Sequence, residues 1–443
     1  MNHFAQSHYH SQQLAQKLEV FVAPLLRRLD AQLDKRLVRT FLLTLQAILT
    51  FRHSTCGLLL SELGGYILSP DQAPAGTKRL SNLLRCTKWM YTLIESYLWQ
   101  QAEQQRTALT RQGQTAYVIW DASVLEKAES LSPEGLCPVR SSQAARLKRI
   151  KPGYYNPPGG RPIFVPGMHW IGLLVSGLNG VPCLATMRWW SSRGQGKSDK
   201  RTEETKLLHR CSRLWGRTVV HIWDRGFASS AWLHRAFKQE VRFILRWPKR
   251  YKLVDSQGNR NAWKIARGKR SVDHRDIWDA RRRCWRKTGI VYLPVQHPKH
   301  DHPLWLVVSR MGKGREPWYL LTNEPVETVD DAWRIVLAYA RRWLIEVTFR
   351  YSKSELAMES PRLWLWGNRL KLLLMVALVY AFLLTLLASD SRHLRDYLLR
   401  YWCHRTGKRY RECTIPLYRL RSAISRLWLS HPPTFLFQWQ NPG

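Results

Sequence analysis

The sequence predicts an α/β protein in which a mixed sheet with helices on both faces is interrupted by a β-rich insertion and flanked by helical regions. Short apolar runs between residues 116 and 247 have the composition of buried strands, with helical stretches among them. Residues 12–89 and the tail have the apolar spacing of helices. The stretch between Asp224 and a later helix carrying Glu346 is too long for a simple loop, which predicts the insertion.

Composition indicates a folded protein with an anionic partner. Of its 443 residues 45% are hydrophobic, which excludes a disordered chain and predicts about two to four domains. Lys and Arg number 70 against 32 Asp and Glu, a formal net charge of +38. A folded protein this basic needs a polyanion such as nucleic acid.

A membrane or secreted protein is less consistent with the sequence than a nucleic-acid-binding protein. We find no signal segment, and the most apolar stretch, residues 372–388, would rise about 25 Å as a helix, less than the roughly 30 Å of bilayer hydrocarbon. We expect that stretch to be a helix buried against the sheet. Eight cysteines without a C-x-x-C pair predict reduced thiols in an intracellular protein.

The N-terminal region, residues 1–112, is predicted to be helical and to bind DNA. A short helix ends at Gly64-Gly65, and after a turn another helix carries Lys78 and Arg79 near its N-terminus. This outline is compatible with a helix-turn-helix in which those two cations contact DNA. Because the turn is long for that motif, an ordinary helical bundle is an equally good interpretation.

The predicted catalytic domain begins at residue 113, and its first part ends at 248. Two apolar runs, 116–120 and 218–223, end on Asp121 and Asp224, which predicts carboxylates at the edge of the sheet. Either aspartate could instead cap a helix. A basic segment, 130–166, is predicted to be a surface loop that lies on phosphates or is simply solvated.

The predicted insertion, 249–322, is basic and irregular until about Arg310, with strands at 304–309 and 318–322. Trp-Asp pairs end at Asp121, Asp224 and Asp279, but their spacing does not fit the repeat of a β-propeller, and helices intervene. The catalytic domain is predicted to resume over 323–389. Residues 390–443 form a helical tail that is a candidate for dimerisation.

A helix over 339–353 is predicted to have separate polar and apolar stripes. Its polar stripe contains Tyr339, Arg342, Glu346, Arg350 and Lys353, and its neighbouring buried stripe contains Leu337, Ala340, Trp343, Leu344 and Val347. A carboxylate among cations suits a divalent cation and a phosphate backbone. By itself, the polar stripe could also be a solvated ladder of ion pairs.

Three carboxylates on two strand ends and a following helix can meet at one edge of a sheet. In-line cleavage of a phosphodiester uses two Mg²⁺ ions, and Mg²⁺ prefers oxygen ligands. Asp121, Asp224 and Glu346 would meet that need. Without further pattern, Trp318 is expected to be a core residue.

At this point the sequence resembles the DDE transposases of bacterial insertion sequences, in the subgroup with the Tyr-x2-Arg-x3-Glu-x6-Lys signature. Tyr339, Arg342, Glu346 and Lys353 match that spacing. Trp-Asp-Arg-Gly-Phe around Asp224 resembles the second block of the family, and Asp121-Ala-Ser resembles the first.

The resemblance implies an RNase H-like domain with a β-strand insertion that acts as a homodimer on terminal inverted repeats and target DNA in the bacterial cytoplasm. Asp121, Asp224 and Glu346 would hold two Mg²⁺ ions, for which Mn²⁺ could substitute. The remaining implied or expected DNA contacts are Tyr339, Arg342, Lys353, Arg350, Arg225 and Trp318, the last of which would stack where a base is flipped out.

These features predict a transposase that nicks the transposon end, cuts through a hairpin and joins the 3′-hydroxyl to target DNA. Two alternatives remain at this stage. One is a catalytically silent, transposase-derived repressor, which the intact acids disfavour. The other is an RNase H-like nuclease acting on RNA or hybrids, which the basic surface permits.

Overall fold

The computed structural model describes residues 3–53, 55–127, 129, 131–141, 163–279, 284–312, 315–403 and 416–435. Its helices are α1 (His3–Asp30), α2 (Lys35–Thr50), α3 (Leu60–Ile67), α4 (Ala73–Arg85), α5 (Thr92–Arg111), α6 (Lys200–Trp215), α7 (Ser230–Lys238), α8 (Ala262–Ala266), α9 (Val329–Ala340), α10 (Trp343–Ser354), α11 (Trp366–Thr385), α12 (Arg392–Tyr397) and α13 (Leu417–Ser430). Its strands are β1 (Ala116–Glu126), β2 (Cys137–Arg140), β3 (Phe164–Ser176), β4 (Cys183–Trp190), β5 (Val219–Trp223), β6 (Arg242–Arg246), β7 (Lys252–Asp255), β8 (Gly258–Asn261), β9 (Asp273–Asp279), β10 (Cys284–His297), β11 (His300–Arg310) and β12 (Trp318–Thr322).

The centre of the molecule is a mixed sheet with the strand order β4-β3-β1-β5-β6. The pairings β4–β3 and β3–β1 are antiparallel, whereas β1–β5 and β5–β6 are parallel. Helices α6 and α7 form the crossovers that parallel neighbours require. The predicted α/β fold class, a mixed sheet with helices on both faces and helical regions at both ends, is confirmed.

The strands of the predicted insertion continue this sheet. β12 pairs antiparallel with β6, and β11 and β10 follow in order. The prediction of a β-rich insertion agrees with the structure, because the described part of 249–322 contains β7 to β12. The sequence had indicated only the strands at 304–309 and 318–322, so β7 to β10 were not recognised. The predicted domain boundaries remain a prediction.

Each face of the sheet is covered by a separate apolar cluster. On one face Ile119, Ile222 and Ile244 pack with residues of α9, α10 and α11 and of the N-terminal helices. On the other face Val118 and Trp120 pack with residues of α6 and α7. Successive strand residues point to opposite faces, so runs that are apolar throughout can supply both clusters.

Helix α11 forms the centre of the larger cluster. It is the one helix in the described part that is long and apolar enough to cross a membrane, and 89% of that apolar window is buried inside the protein. It packs against β4 and against α2, α5 and α13. The prediction of an apolar helix buried in the fold is therefore confirmed.

The two ends of the chain pack together. Arg421 of α13 donates to the carbonyl of Phe51, and Ser425 Oγ donates to the carbonyl of Thr50 at 2.6 Å. Trp428 Nε1 donates to the carbonyl of Ser11 at 3.3 Å. The buried face of α13, which includes Leu420, is thus covered by helices of the same chain. Dimerisation through the tail remains a prediction.

Helices α3 and α4 cross at two glycines. A Cβ on Gly76 would lie 2.2 Å from the carbonyl oxygen of Gly64, so the backbones are in direct contact there. The turn between the helices spans residues 68–72. The contact leaves Lys78 and Arg79 exposed on the outer side of α4.

The basic segment 130–166 was predicted to be a loop, which holds for residues 131–136 but is wrong for 137–140 and 164–166. β2 and the start of β3 form an antiparallel pair, with Cys137 opposite Gly167. Arg146, Lys148, Arg149, Lys151 and Arg161, which carried the phosphate-binding prediction, lie outside the described residues.

Candidate active site

Asp121 and Asp224 lie side by side on neighbouring parallel strands. β1 and β5 are paired up to Ile119 and Ile222, and two more residues along each strand bring the chain to the two aspartates. The sequence placed Asp121 at a strand end, which is wrong, because β1 continues to Glu126 beside β3. Asp121 reaches the edge of the parallel sheet because its neighbour β5 ends at Trp223, not because its own strand ends.

Asp224 directly follows β5 and caps the short 3₁₀ turn Arg225–Phe227. Its Oδ1 accepts a hydrogen bond from the backbone N–H of Gly226 at 2.8 Å. A Cβ at Gly226 would lie 3.0 Å from that oxygen, so glycine suits the position. The capping alternative for Asp224 therefore describes a real contact. It leaves Oδ2 for another partner, and the side chain is half-buried at the sheet edge.

The predicted helix over 339–353 is two helices joined by a tight turn. Arg341 and Arg342 keep helical backbone angles, but their amides bond to Ala338 and Tyr339 in the i→i+3 pattern of a 3₁₀ turn. α9 thus ends at Ala340 and α10 begins at Trp343.

The predicted buried stripe of this segment is wrong at two positions. Trp343 is 51% exposed and Leu337 is 38% exposed. The buried side of α10 is set by Ile345 and Phe349, which pack on Gly172 of β3, where a Cβ would lie 2.8 Å from the Phe349 ring. The missing side chain at Gly172 therefore fixes the rotation of α10, which leaves Glu346 on the half-exposed side.

Arg342 joins the two ends of the site. Its Nη1 lies 3.2 Å from Asp121 Oδ2, and its Nη2 donates to Glu346 Oε1. The Arg342 side chain is 17% exposed. Burial alone would lower the pKa of Arg342, but the carboxylates of Glu346 and Asp121 raise it. Arg342 therefore keeps its charge and holds α10 against β1.

Tyr339 and Trp318 form the next part of the site. Their rings meet edge to face with centroids 5.1 Å apart. The Arg246 guanidinium lies 6.0 Å from the centre of the Trp318 ring. Burial raises the pKa of Tyr339, so its hydroxyl remains protonated as a donor.

Arg246 was missed in the sequence. It is the last residue of β6, the strand beside β5, and so lies at the same sheet edge as Asp224. The sequence did contain a signal for this residue, because Arg246 is a cation at the end of an apolar run. We call the edge formed by the ends of β5 and β6 and the start of β12 the catalytic rim.

The other predicted DNA contacts lie at different distances from this rim. Arg225 is exposed next to Asp224 and pairs with Glu316 at 3.9 Å. Further along α10, Arg350 is exposed, and Lys353 pairs with Glu359 at 3.9 Å. Lys78 and Arg79 are on α4, which packs with α2, α3 and α11, and do not join the site.

The donor set suits a hard divalent cation, because carboxylate oxygens are the ligands that Mg²⁺ prefers. Burial raises the pKa of Asp121 to about 6; Arg342 lowers it, and the negative charges of Asp224 and Glu346 raise it. An additional cation would relieve that repulsion. Among the described residues no three His, Cys, Asp or Glu side chains are close enough to hold one ion. The Arg342 side chain lies between Asp121 and Glu346 and contacts both carboxylates.

Residues 172–382 match the family model of the transposase DDE domain. The matched segment is just under half of the chain. It includes Asp224 and Glu346 but begins after Asp121. The match supports a DDE transposase, which is the coarser part of the resemblance seen in the sequence. That family consists of metal-dependent enzymes that transfer DNA strands.

One solved structure similar to the chain is the cryo-EM structure of a piggyBac transposase synaptic complex with hairpin DNA. The identity is 14% and the TM-score 0.40, and the alignment covers 90% of this chain and 74% of that chain. No curated protein matches the sequence.

Proposed function

We propose that this protein is a DNA transposase that cuts the ends of its own element and joins the freed 3′-hydroxyl to target DNA. The observation that carries the proposal is the convergence at the catalytic rim. Asp121 and Asp224 adjoin on paired strands, and Arg342 links Asp121 to Glu346 from a distant part of the sequence. The domain match over 172–382 and the net charge of +38 support it.

Asp121, Asp224 and Glu346 are the proposed metal ligands and catalytic residues. When bound there, two Mg²⁺ ions, or Mn²⁺ in their place, would activate the attacking oxygen and stabilise the leaving one. Arg342 has a second role in this proposal. It neutralises two of the acids before DNA arrives and can exchange a carboxylate for a phosphate, since its planar fork fits both.

The residues around the acids are proposed to hold the DNA end. Tyr339 and Arg342 face the rim, and Arg225, Arg350 and Lys353 extend a basic surface from it. Trp318, the first residue of β12, is held in place by its ring contact with Tyr339. An indole at this place can replace the stacking that a flipped base loses during hairpin formation.

Several finer features belong to the same proposal. The protein would act as a homodimer on two inverted repeats of a bacterial insertion sequence, in the bacterial cytoplasm. α4 would contribute sequence recognition, because Lys78 and Arg79 are exposed on its outer face while its inner face packs on α3. This arrangement is compatible with a helix-turn-helix reading the major groove.

Cleavage of the DNA that flanks the coding region tests the proposal. The purified protein should nick DNA containing the element's ends in Mg²⁺ or Mn²⁺, and Glu346→Ala should bind that DNA as tightly but leave it uncut. Glu327→Ala is the matched control, because Glu327 is an exposed carboxylate just before α9 and away from the acids. Undiminished cutting by Glu346→Ala would refute the assigned site.

The same assay separates the alternatives. Binding of the end DNA by the wild-type protein without any cleavage would favour a catalytically silent repressor. Preferred cutting of an RNA–DNA hybrid over duplex DNA would favour an RNase H-like nuclease. Short inverted repeats in the flanking DNA, by contrast, would agree with the transposase.

A further inference from the structure

Two tryptophans are exposed on the ribbon formed by β9 and β10. Trp278 is 48% exposed and Trp285 is 68% exposed. They are directly opposite each other across the antiparallel pair, with ring centroids 5.6 Å apart and the rings nearly edge to face. Large indoles are normally buried, so a paired, outward-facing set of this kind indicates a binding surface.

The ribbon leaves the sheet at the catalytic rim. Ile290 of β10 is opposite Ser309 of β11, and Ser309 is opposite Trp318 of β12. From Ile290 the ribbon runs outward through Gly289 to Trp285. At about 3.4 Å per residue, the tryptophan pair is about 17 Å beyond the row that contains Trp318. The tryptophan pair is therefore near enough to the rim for one DNA molecule to contact both.

The base of the ribbon is held firmly against the core. Trp333 Nε1 of α9 donates to Asp273 Oδ2 at 2.8 Å, and Arg275 pairs with Asp330 at the start of the same helix. On the inward face of the ribbon, Ile277 packs on the larger apolar cluster. The two indoles are thus on the outward face of an anchored strand pair.

The charge around the tryptophans fits a nucleic acid. On their own face, the next cross-strand pair is Asp276 with Lys287, followed by His274 opposite Gly289. Arg275 and Arg286 are on the other face, and Lys269 and Arg270 are exposed just before β9. Flat aromatic rings among cations are the usual elements that bind unpaired bases and their phosphates.

We propose that Trp278 and Trp285 form a stacking surface for unpaired bases of DNA held at the catalytic rim. The inference takes the identity of its partner from the proposed function. It adds a base-stacking element separate from Trp318, on a different pair of strands. Such an element would stabilise melted or distorted DNA next to the point of cleavage, because stacking on an indole replaces stacking in the duplex.

Binding to a blunt duplex and to the same duplex with a short unpaired tail tests this. Fluorescence anisotropy with labelled DNA should show tighter binding of the tailed duplex by the wild-type protein. In the double variant Trp278→Ala, Trp285→Ala, that preference should fall by about tenfold, while affinity for the blunt duplex changes little. Tyr418→Ala, which removes a 62% exposed ring on α13, is the control and should keep the preference.

The chemistry of the residue at 285 separates stacking from simple apolar contact. Trp285→Tyr should retain most of the preference for the tail, whereas Trp285→Leu should lose it. Equal affinity of the wild-type protein for both DNAs, or an unchanged preference in the double variant, would overturn the inference. A change of oligomeric state without DNA, with unchanged DNA binding, would identify the pair as a protein contact instead.

Failure of the proposed function gives a different result. If the protein cuts no DNA but its preference for the tail depends on the two tryptophans, the stacking surface stands and the transposase proposal fails. If the protein cuts normally but binds both duplexes equally, the transposase proposal stands and the stacking surface fails.

Discussion

Replacing Asp121 by asparagine should stabilise the metal-free protein at neutral pH. The Asp121 side chain is 19% exposed, and burial is the main cause that raises its pKa from 3.8 to about 6. Each unit of difference between the folded and unfolded pKa values changes the free energy of unfolding by about 1.4 kcal/mol. The ionised carboxylate therefore costs the folded state about 3 kcal/mol at neutral pH, and the uncharged amide of asparagine avoids that cost.

The gain should depend on pH in a defined direction. Because the pKa of Asp121 is raised in the folded state, its penalty is absent below the unfolded value, where both states bind the proton. The penalty grows as the pH rises from about 4 to about 6 and is constant above that range. The advantage of Asp121→Asn should thus be full near pH 7.5 and disappear near pH 4.

Urea unfolding in EDTA, followed by tryptophan fluorescence, measures this difference. Asp331→Asn is the opposite control, because the hydrogen bond from Thr328 lowers the pKa of Asp331 in a helix-capping box, and the variant should lose about 1 kcal/mol. An Asp121→Asn variant no more stable than wild type at neutral pH, or a gain that persists at pH 4, would refute the reasoning. Added Mg²⁺ should stabilise the wild type more than Asp121→Asn.

Three further outcomes are expected. Trp318→Ala should slow hairpin formation by about tenfold more than first-strand nicking, measured on end DNA in denaturing gels; equal effects would assign the indole to the core. Gly76→Ala should destabilise by about 1–3 kcal/mol in thermal melts, because its Cβ meets backbone, whereas Gly65→Ala has its nearest neighbour at 3.7 Å and should be neutral or stabilising. Alanine at Lys78 or Arg79 should reduce the slope of log affinity against log salt by about 1, and an unchanged slope would remove that residue from the interface.

The sequence was informative where burial and periodicity coincide. The apolar runs that end at Trp120 and Trp223 predicted carboxylates at the edge of the sheet. In the structure, the pairing of β1 with β5 brings Asp121 and Asp224 next to each other. The apolar composition of α11 likewise predicted a buried helix. These elements are specified by local composition, because a strand or helix buried on all sides must be apolar throughout.

Other features depend on contacts that local sequence does not contain. β10 and β11 meet at a turn with His297 opposite His300, and polar residues near this end hide the strand pattern. The break at Arg341 has no Gly or Pro to signal it. The rotation of α10 depends on Gly172, a residue of another element, so the exposure of Trp343 could not be read from the helix itself.

The packing of α13 against α1 and α2 has a consequence for the order of synthesis. The helices that precede the sheet emerge first from the ribosome, yet the carbonyls of Ser11, Thr50 and Phe51 accept hydrogen bonds from side chains of residues 421–428, which are made much later. At about 5–20 residues per second, these helices wait many seconds for that partner. A freshly made chain therefore cannot complete the packing of its N-terminal helices until α13 has left the ribosome.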